Sequence, residues 1–282
     1  MAGIQSFVIM IKLSFTIYTK YLLFSFDQKT IKFLFAGIML CILSSVGNAQ
    51  LEETIAKVKP SIVGIGTYQK TKSPSLTYMG TGFAVGDGLH IVTNAHVIRE
   101  TLDFKNMEKH VVITGQDNKP ELRDASIVFL DKEHDIALLK ISGTALPALK
   151  LGNSTTVREG RRMAYTGFPI GMVLGFYPVT HQAIISSVTP IIRPAHNATQ
   201  LNAKLIRRLQ SPFMVFQLDG VAYPGNSGSP LYDPDTGLVY GIINMVYVKG
   251  KKETALSSPS GISYAIPGKH IVNLLGKVNF QN

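Results

Sequence analysis

Cysteine is almost missing from this chain of 282 residues: the single one, Cys41, lies in an apolar N-terminal stretch. Everything after residue 49 therefore has no thiol and no disulfide, and must be held by its core alone. No His/Cys/Asp/Glu string has the spacing of a metal site, so none is expected. Gly80-Thr81-Gly82 is not followed by Gly-Lys-Ser/Thr, which excludes a phosphate loop there. Charge is sparse as well, at 16% of residues against 45% hydrophobic, a globular composition long enough for one large domain or two small ones.

The apolar residues are not evenly spread. An apolar run over residues 31–46 follows Lys29 and carries Lys32, and Gly47-Asn48-Ala49 offers small residues at the two positions a signal peptidase reads. A leader over 1–49 with cleavage after Ala49 is expected, and with it export to the periplasm or medium. The alternative is an uncleaved anchor, for which the run is short. Apolar sequence also extends from Ile4 to Phe26, broken by Lys12 and Lys20, so either the chain starts upstream of its true initiator or the leader is unusually long. Leu40-Cys41 lacks the preceding small residues of a lipoprotein signal, and lipidation is not expected.

Net charge is +10, and +7 for residues 50–282, where 24 basic residues face 17 acidic ones. The basic residues are scattered apart from Arg158/Arg161/Arg162, Lys204/Arg207/Arg208 and Lys249/Lys251/Lys252. That pattern reads as a solvated surface, with no nucleic-acid partner expected.

After a short helix over Leu51–Val58, stopped by Pro60, the chain alternates short apolar strands with turn residues, the pattern of an all-β barrel or sandwich. Strands are predicted at Ser61–Tyr68, Gly80–Val85, Leu89–Thr93, Val111–Thr114, Ala125–Asp131 and Ile136–Lys140. A crossover over 144–160 leads to Arg162–Gly167, Gln182–Thr189, Val215–Leu218, Ser229–Tyr232, Leu238–Val248 and Gly261–Ile266, then a short helix over His270–Leu275. Thr71–Leu76 reads as a polar loop, and Ala198–Gln210 has apolar residues at helical spacing. No internal repeat is visible.

Three strings stand out: Thr93-Asn94-Ala95-His96-Val97-Ile98, His134-Asp135-Ile136-Ala137-Leu138-Leu139 and Pro224-Gly225-Asn226-Ser227-Gly228-Ser229-Pro230. A serine hydroxyl is a poor nucleophile alone and needs a base for its proton and a carboxylate to orient that base. His96 ends an apolar strand and opens a helical turn. Asp135 begins another, where burial is costly unless the carboxylate has a partner such as an imidazole N–H. In the third string the glycines let the N–H groups of Gly225 and Ser227 point at one oxygen, an oxyanion hole. Singly, each has a plain reading: a structural histidine, a solvated aspartate like Asp117, Asp124 or Asp131, a Gly/Ser turn. Together, in the order His, Asp, Ser, they point to nucleophilic catalysis. His134 reads as a surface residue.

Gly80-Thr81-Gly82-Phe83, Ile91–Val97, Asp135 and Gly225–Pro230 resemble the trypsin-like serine proteases, specifically the HtrA/Deg branch. Gly167-Phe168-Pro169-Ile170-Gly171 is similar to that family's Gly-Asn-Pro-Leu-Gly segment, and Gly241–Asn244 and Gly261–Pro267 to its last strands, so the resemblance covers residues 51–275. It implies two six-stranded antiparallel β-barrels, 50–155 and 156–282, with the site in the cleft between them. It implies catalytic His96, Asp135 and Ser227, an oxyanion hole from Gly225, Asn226 and Ser227, and no metal or cofactor. It implies a specificity pocket with Val221 at its base, narrowed by Val246 and left open by Gly261, hence a preference for small or medium apolar side chains. Glutamyl endopeptidases share the Gly-Asn-Ser-Gly-Ser-Pro string, but they read glutamate with a histidine where Ile243 stands here.

The implied substrates are unfolded or extended polypeptides, because such a cleft takes a strand-like peptide. HtrA proteins commonly carry C-terminal PDZ domains, for which this chain ends too early, and commonly form trimers, for which the segment before Ser61 has no aromatic contact residue. A homo-oligomer stays open. So does a second function of another class, a latent or non-enzymatic peptide-binding module on the same scaffold. The segment from Pro190 to Phe213, with His196, Lys204, Arg207 and Arg208, is either a cleft-shaping loop or a surface decoration.

Overall fold

Short apolar runs closed by Gly, Asp and Pro turns become strands throughout the computed structural model, which describes residues 46–115, 120–169, 175–190, 213–244 and 261–278. The chain divides into two compact units, Met1–Gln50 and Leu51–Asn282. Of the first, only the start of helix α1 (Val46–Val58) is described, and the expected cleavage point after Ala49 lies inside that helix. No described helix is long and apolar enough to cross a membrane.

The second unit contains twelve described strands: β1 (Ile62–Tyr68), β2 (Leu76–Val85), β3 (His90–Thr93), β4 (Lys109–Thr114), β5 (Glu121–Asp131), β6 (Ile136–Ile141), β7 (Arg162–Gly167), β8 (Val179–Pro190), β9 (Met214–Asp219), β10 (Pro230–Tyr232), β11 (Val239–Asn244) and β12 (Ile262–Pro267). They form two closed antiparallel barrels in the orders β1-β2-β3-β6-β5-β4 and β7-β8-β9-β12-β11-β10. The two halves share one topology although no repeat shows in the sequence. Closure leaves each sheet without a free edge.

The crossover is stitched to both barrels. Leu149 bridges to Val85 and Leu151 to Val239. Ser154 Oγ then accepts from the backbone N–H of Lys269, the first residue of helix α2 (Lys269–Leu275), at 2.8 Å. Helix α1 leans on the turn between β10 and β11, where Thr54 Oγ1 donates to Asp235 O. Phe83, Ile113, Ile136, Leu138, Phe168, Phe176, Val239 and Ile242 belong to one apolar cluster spanning the two barrels. Gly64 is part of the fit: a Cβ there would fall 2.8 Å from the Phe176 ring.

The strands expected from the sequence form, with shifted ends, and residues 245–248 of the expected Leu238–Val248 strand lie outside the described residues. Strand β2 begins at Leu76, inside the expected polar loop, and β5 begins at Glu121 because its largely exposed Glu-Leu-Arg-Asp start shows no apolar alternation. The turn after His96's strand is a single 3-10 turn, Ala95–Val97. The helical pattern over Ala198–Gln210, and the basic residues within it, lie outside the described residues. Two of the basic residues at 158–162 are engaged by the fold: Arg161 pairs with Asp233 at 2.8 Å and lies over the Tyr240 ring, and Arg158 caps Thr155 O.

Candidate active site

His96 stands in the turn after β3, and Asp135 at the entry to β6. Those strands are hydrogen-bonded neighbours, with Thr93 opposite Ala137. This register brings residues 39 apart in sequence into contact. His96 Nδ1 lies 2.6 Å from Asp135 Oδ2, and the His96 backbone N–H donates to Oδ1 at 2.8 Å. A carboxylate can only accept here, so in the neutral ring Nδ1 carries the proton and Nε2 the lone pair. Asp135 itself holds a left-handed backbone, φ +55°, fixed where Asn94 Nδ2 donates to its carbonyl at 3.0 Å. Its side chain is buried, whereas that of His96 is 33% exposed, enough for a reacting group to reach the ring.

A further donor comes from the other barrel. Asn244, the last residue of β11, gives Nδ2–H to Asp135 Oδ2 at 2.8 Å. Its signal in the sequence is faint: a buried amide closing the apolar run Gly241-Ile242-Ile243, with its partner 109 residues away.

Ser227 follows a tight turn in which Asn226 N–H donates to Tyr223 O, Ser229 N–H to Asn226 O and Gly228 N–H to Ile243 O, each at 3.0 Å. Among the described residues, the N–H groups of Gly225 and Ser227 donate to no acceptor. These are the two donors the string was expected to free. Asn226, grouped with them in the sequence reading, differs from them: its N–H is taken by Tyr223 O, and its side-chain amide is fully buried. Gly228 is required by space, since a Cβ there would sit 1.9 Å from Thr81 O, at φ +91°.

The expected pocket base is braced from below. Tyr165, fully buried on β7, donates to Val221 O at 2.7 Å, and burial pushes its phenol pKa up. Ser263 Oγ accepts from Ala222 N–H and donates to Gly220 O, each at 2.7 Å. His181 stacks on Tyr165, and burial lowers its pKa. Gly261 has φ +70° and open space where a Cβ would be, whereas Val246 lies outside the described residues. Ile243 is fully buried.

His134, expected as a surface residue, is half-buried and packed. Its ring stacks on His270 of α2 at 4.1 Å between centroids, meets Phe213 edge-on and hydrogen-bonds through Nδ1 to Asp131 Oδ2 at 2.8 Å. Burial pushes the Asp131 carboxyl up, but the backbone N–H and ring of His134 outweigh it and hold the pKa below the usual range.

Residues 80–242, more than half of the chain, match the trypsin-like peptidase domain family. The chain belongs to the trypsin-like peptidases. Among curated proteins it is similar to the serine protease HTRA1A of Danio rerio, 29% identical over 80% of this chain and 41% of that one. It is also similar to a probable periplasmic serine endoprotease, DegP-like, of Halomonas elongata, 32% identical over 67% of this chain and 32% of that one. The chain thus spans less than half the length of these relatives. Among solved structures, the HtrA-type protease AlgW with a decapeptide superposes with a TM-score of 0.58 at 22% identity, over 80% of this chain and 66% of that one. The serine endoprotease from Yersinia pestis gives 0.56 at 22% identity, over 80% and 65%. The fold is therefore that of the HtrA-type proteases, and this trypsin-like peptidase domain falls in the HtrA/Deg branch.

Proposed function

We propose that the chain is an exported serine endopeptidase that cleaves unfolded or extended polypeptides. The observation that supports this reading is the 2.6 Å bond from His96 Nδ1 to Asp135 Oδ2, which leaves Nε2 to serve as the base. Ser227 Oγ attacks the peptide carbonyl while His96 Nε2 takes its proton, and the oxyanion is held by the N–H groups of Gly225 and Ser227. His96 then protonates the leaving amine as the C–N bond breaks. Water, activated by the same ring, releases the acyl group from Ser227. Asp135 keeps the tautomer and stabilises the imidazolium.

Val221, the residue expected at the pocket base, is not a carboxylate, which disfavours cleavage after Lys or Arg and favours small or medium apolar side chains. Export follows from the leader pattern and agrees with the periplasmic naming of the DegP-like relatives.

The test is turnover of unfolded casein by the full chain, beside Ser227→Ala, with a fluorophosphonate label. Cleavage and labelling of the wild type alone, with cuts after small or medium apolar residues, are expected. A folded wild type that neither cleaves nor labels would overturn the assignment.

A further inference from the structure

Thr81, on β2 of the N-terminal barrel, grips the serine loop of the other barrel. Its N–H donates to Ser227 O at 2.9 Å and its hydroxyl to Gly225 O at 2.7 Å. The hydroxyl is itself oriented: Phe168 N–H donates to Thr81 Oγ1 at 3.1 Å, which leaves the threonine proton for Gly225. Tyr78, three residues earlier, brings its phenol to 3.0 Å from the same Gly225 O and 3.1 Å from Phe168 O. Within its own barrel Thr81 is pinned by Thr93 Oγ1, which donates to its carbonyl at 2.6 Å. Both residues with free N–H donors, Gly225 and Ser227, therefore have their carbonyls tied to one strand of the opposite barrel.

Gly225 has φ +102°. A glycine reaches φ of either sign with similar ease, so nothing intrinsic to the residue keeps this conformation. We propose that Thr81 and Tyr78 are positioning residues for the anion site: by tying the Gly225 and Ser227 carbonyls to β2 they fix the loop segment that carries the Gly225 and Ser227 N–H groups. This rests on the serine-nucleophile reading above and deepens it. The N-terminal barrel then supplies, besides His96 and Asp135, the clamp that sets the other barrel's donors. Losing an oxyanion donor outright costs roughly 10²–10³ in kcat, which is the ceiling for loosening one.

The test uses the full chain with Thr81→Val, Tyr78→Phe, the pair, and Thr81→Ser as the conservative variant. Thr81→Val should lower kcat about tenfold with KM unchanged and slow fluorophosphonate labelling in parallel, within the ceiling for a lost donor. Tyr78→Phe should do so by a few-fold, and Thr81→Ser should restore the rate. A second readout needs no turnover: exchange broadening of the Gly225 and Ser227 amide resonances should appear in Thr81→Val and be absent in Thr81→Ser. Folded Thr81→Val with unchanged kcat and unchanged amides would overturn the proposal. Should the wild type neither cleave nor label, responsive amides would still sustain the clamp while the protease reading fell, and silent amides would end both.

Discussion

Asp135 and Asn226 are both buried, and the fold treats them in opposite ways. The Asp135 carboxylate accepts from His96 N–H, His96 Nδ1 and Asn244 Nδ2. The Asn226 side chain, fully buried one residue before Ser227, finds no protein partner for either of its polar atoms among the described residues. A carboxylate that must orient a base needs a single geometry, and three donors provide it. The amide beside the serine is held through its backbone instead, by Tyr223 and Ser229. Fixed geometry is thus built from side chains around Asp135 and from main chain around Asn226.

The largest test of that contrast is Asp135→Asn. The amide can present an N–H to the ring and trap the wrong tautomer, so kcat should fall about 10⁴-fold while the fold persists. A loss of less than tenfold would show that the carboxylate does not set the tautomer. Gly228→Ala attacks the main-chain end: the clash with Thr81 O should cost about 4 kcal/mol or more, read as a drop of roughly 10 °C or more in thermal midpoint. Asn244→Ala removes one of three donors and should lower kcat about tenfold, with little change in KM. Asn226→Leu should leave the thermal midpoint within about 3 °C of wild type or raise it, because an apolar group replaces an amide without protein partners. A large drop would mean the amide is paired after all.

The smallest effect concerns pH. His270 faces His134, Lys269 and Asp131, and burial, helped by the charges of His134 and Lys269, lowers its pKa from 6.5 to about 4. Between those values the unfolded chain binds a proton that the folded one refuses, so stability falls as pH falls through that window. His270→Phe should flatten this dependence in urea titrations run between pH 7 and 4. An equal slope in the variant would remove His270 from the account.

Much of this was legible in the sequence because the strands are short and bounded by strong turn formers. Gly86-Asp87-Gly88 and Asp233-Pro234-Asp235-Thr236-Gly237 mark hairpins, and the apolar runs between such signals became strands within a few residues. The His96, Asp135 and Ser227 strings were recognisable for the same local reason. What stayed hidden depends on distance along the chain. Thr81 meets Gly225 across 144 residues and Asn244 meets Asp135 across 109, and no window of sequence holds both partners. His134 was misjudged because its neighbours are charged while its contact, His270, lies on the final helix.

Both sheets close on themselves, β4 pairing with β1 and β10 with β7. The proposed substrates are chains with unsatisfied strands, which add readily to any open sheet edge. A scaffold whose described strands are each paired on both sides gives such chains little backbone to join.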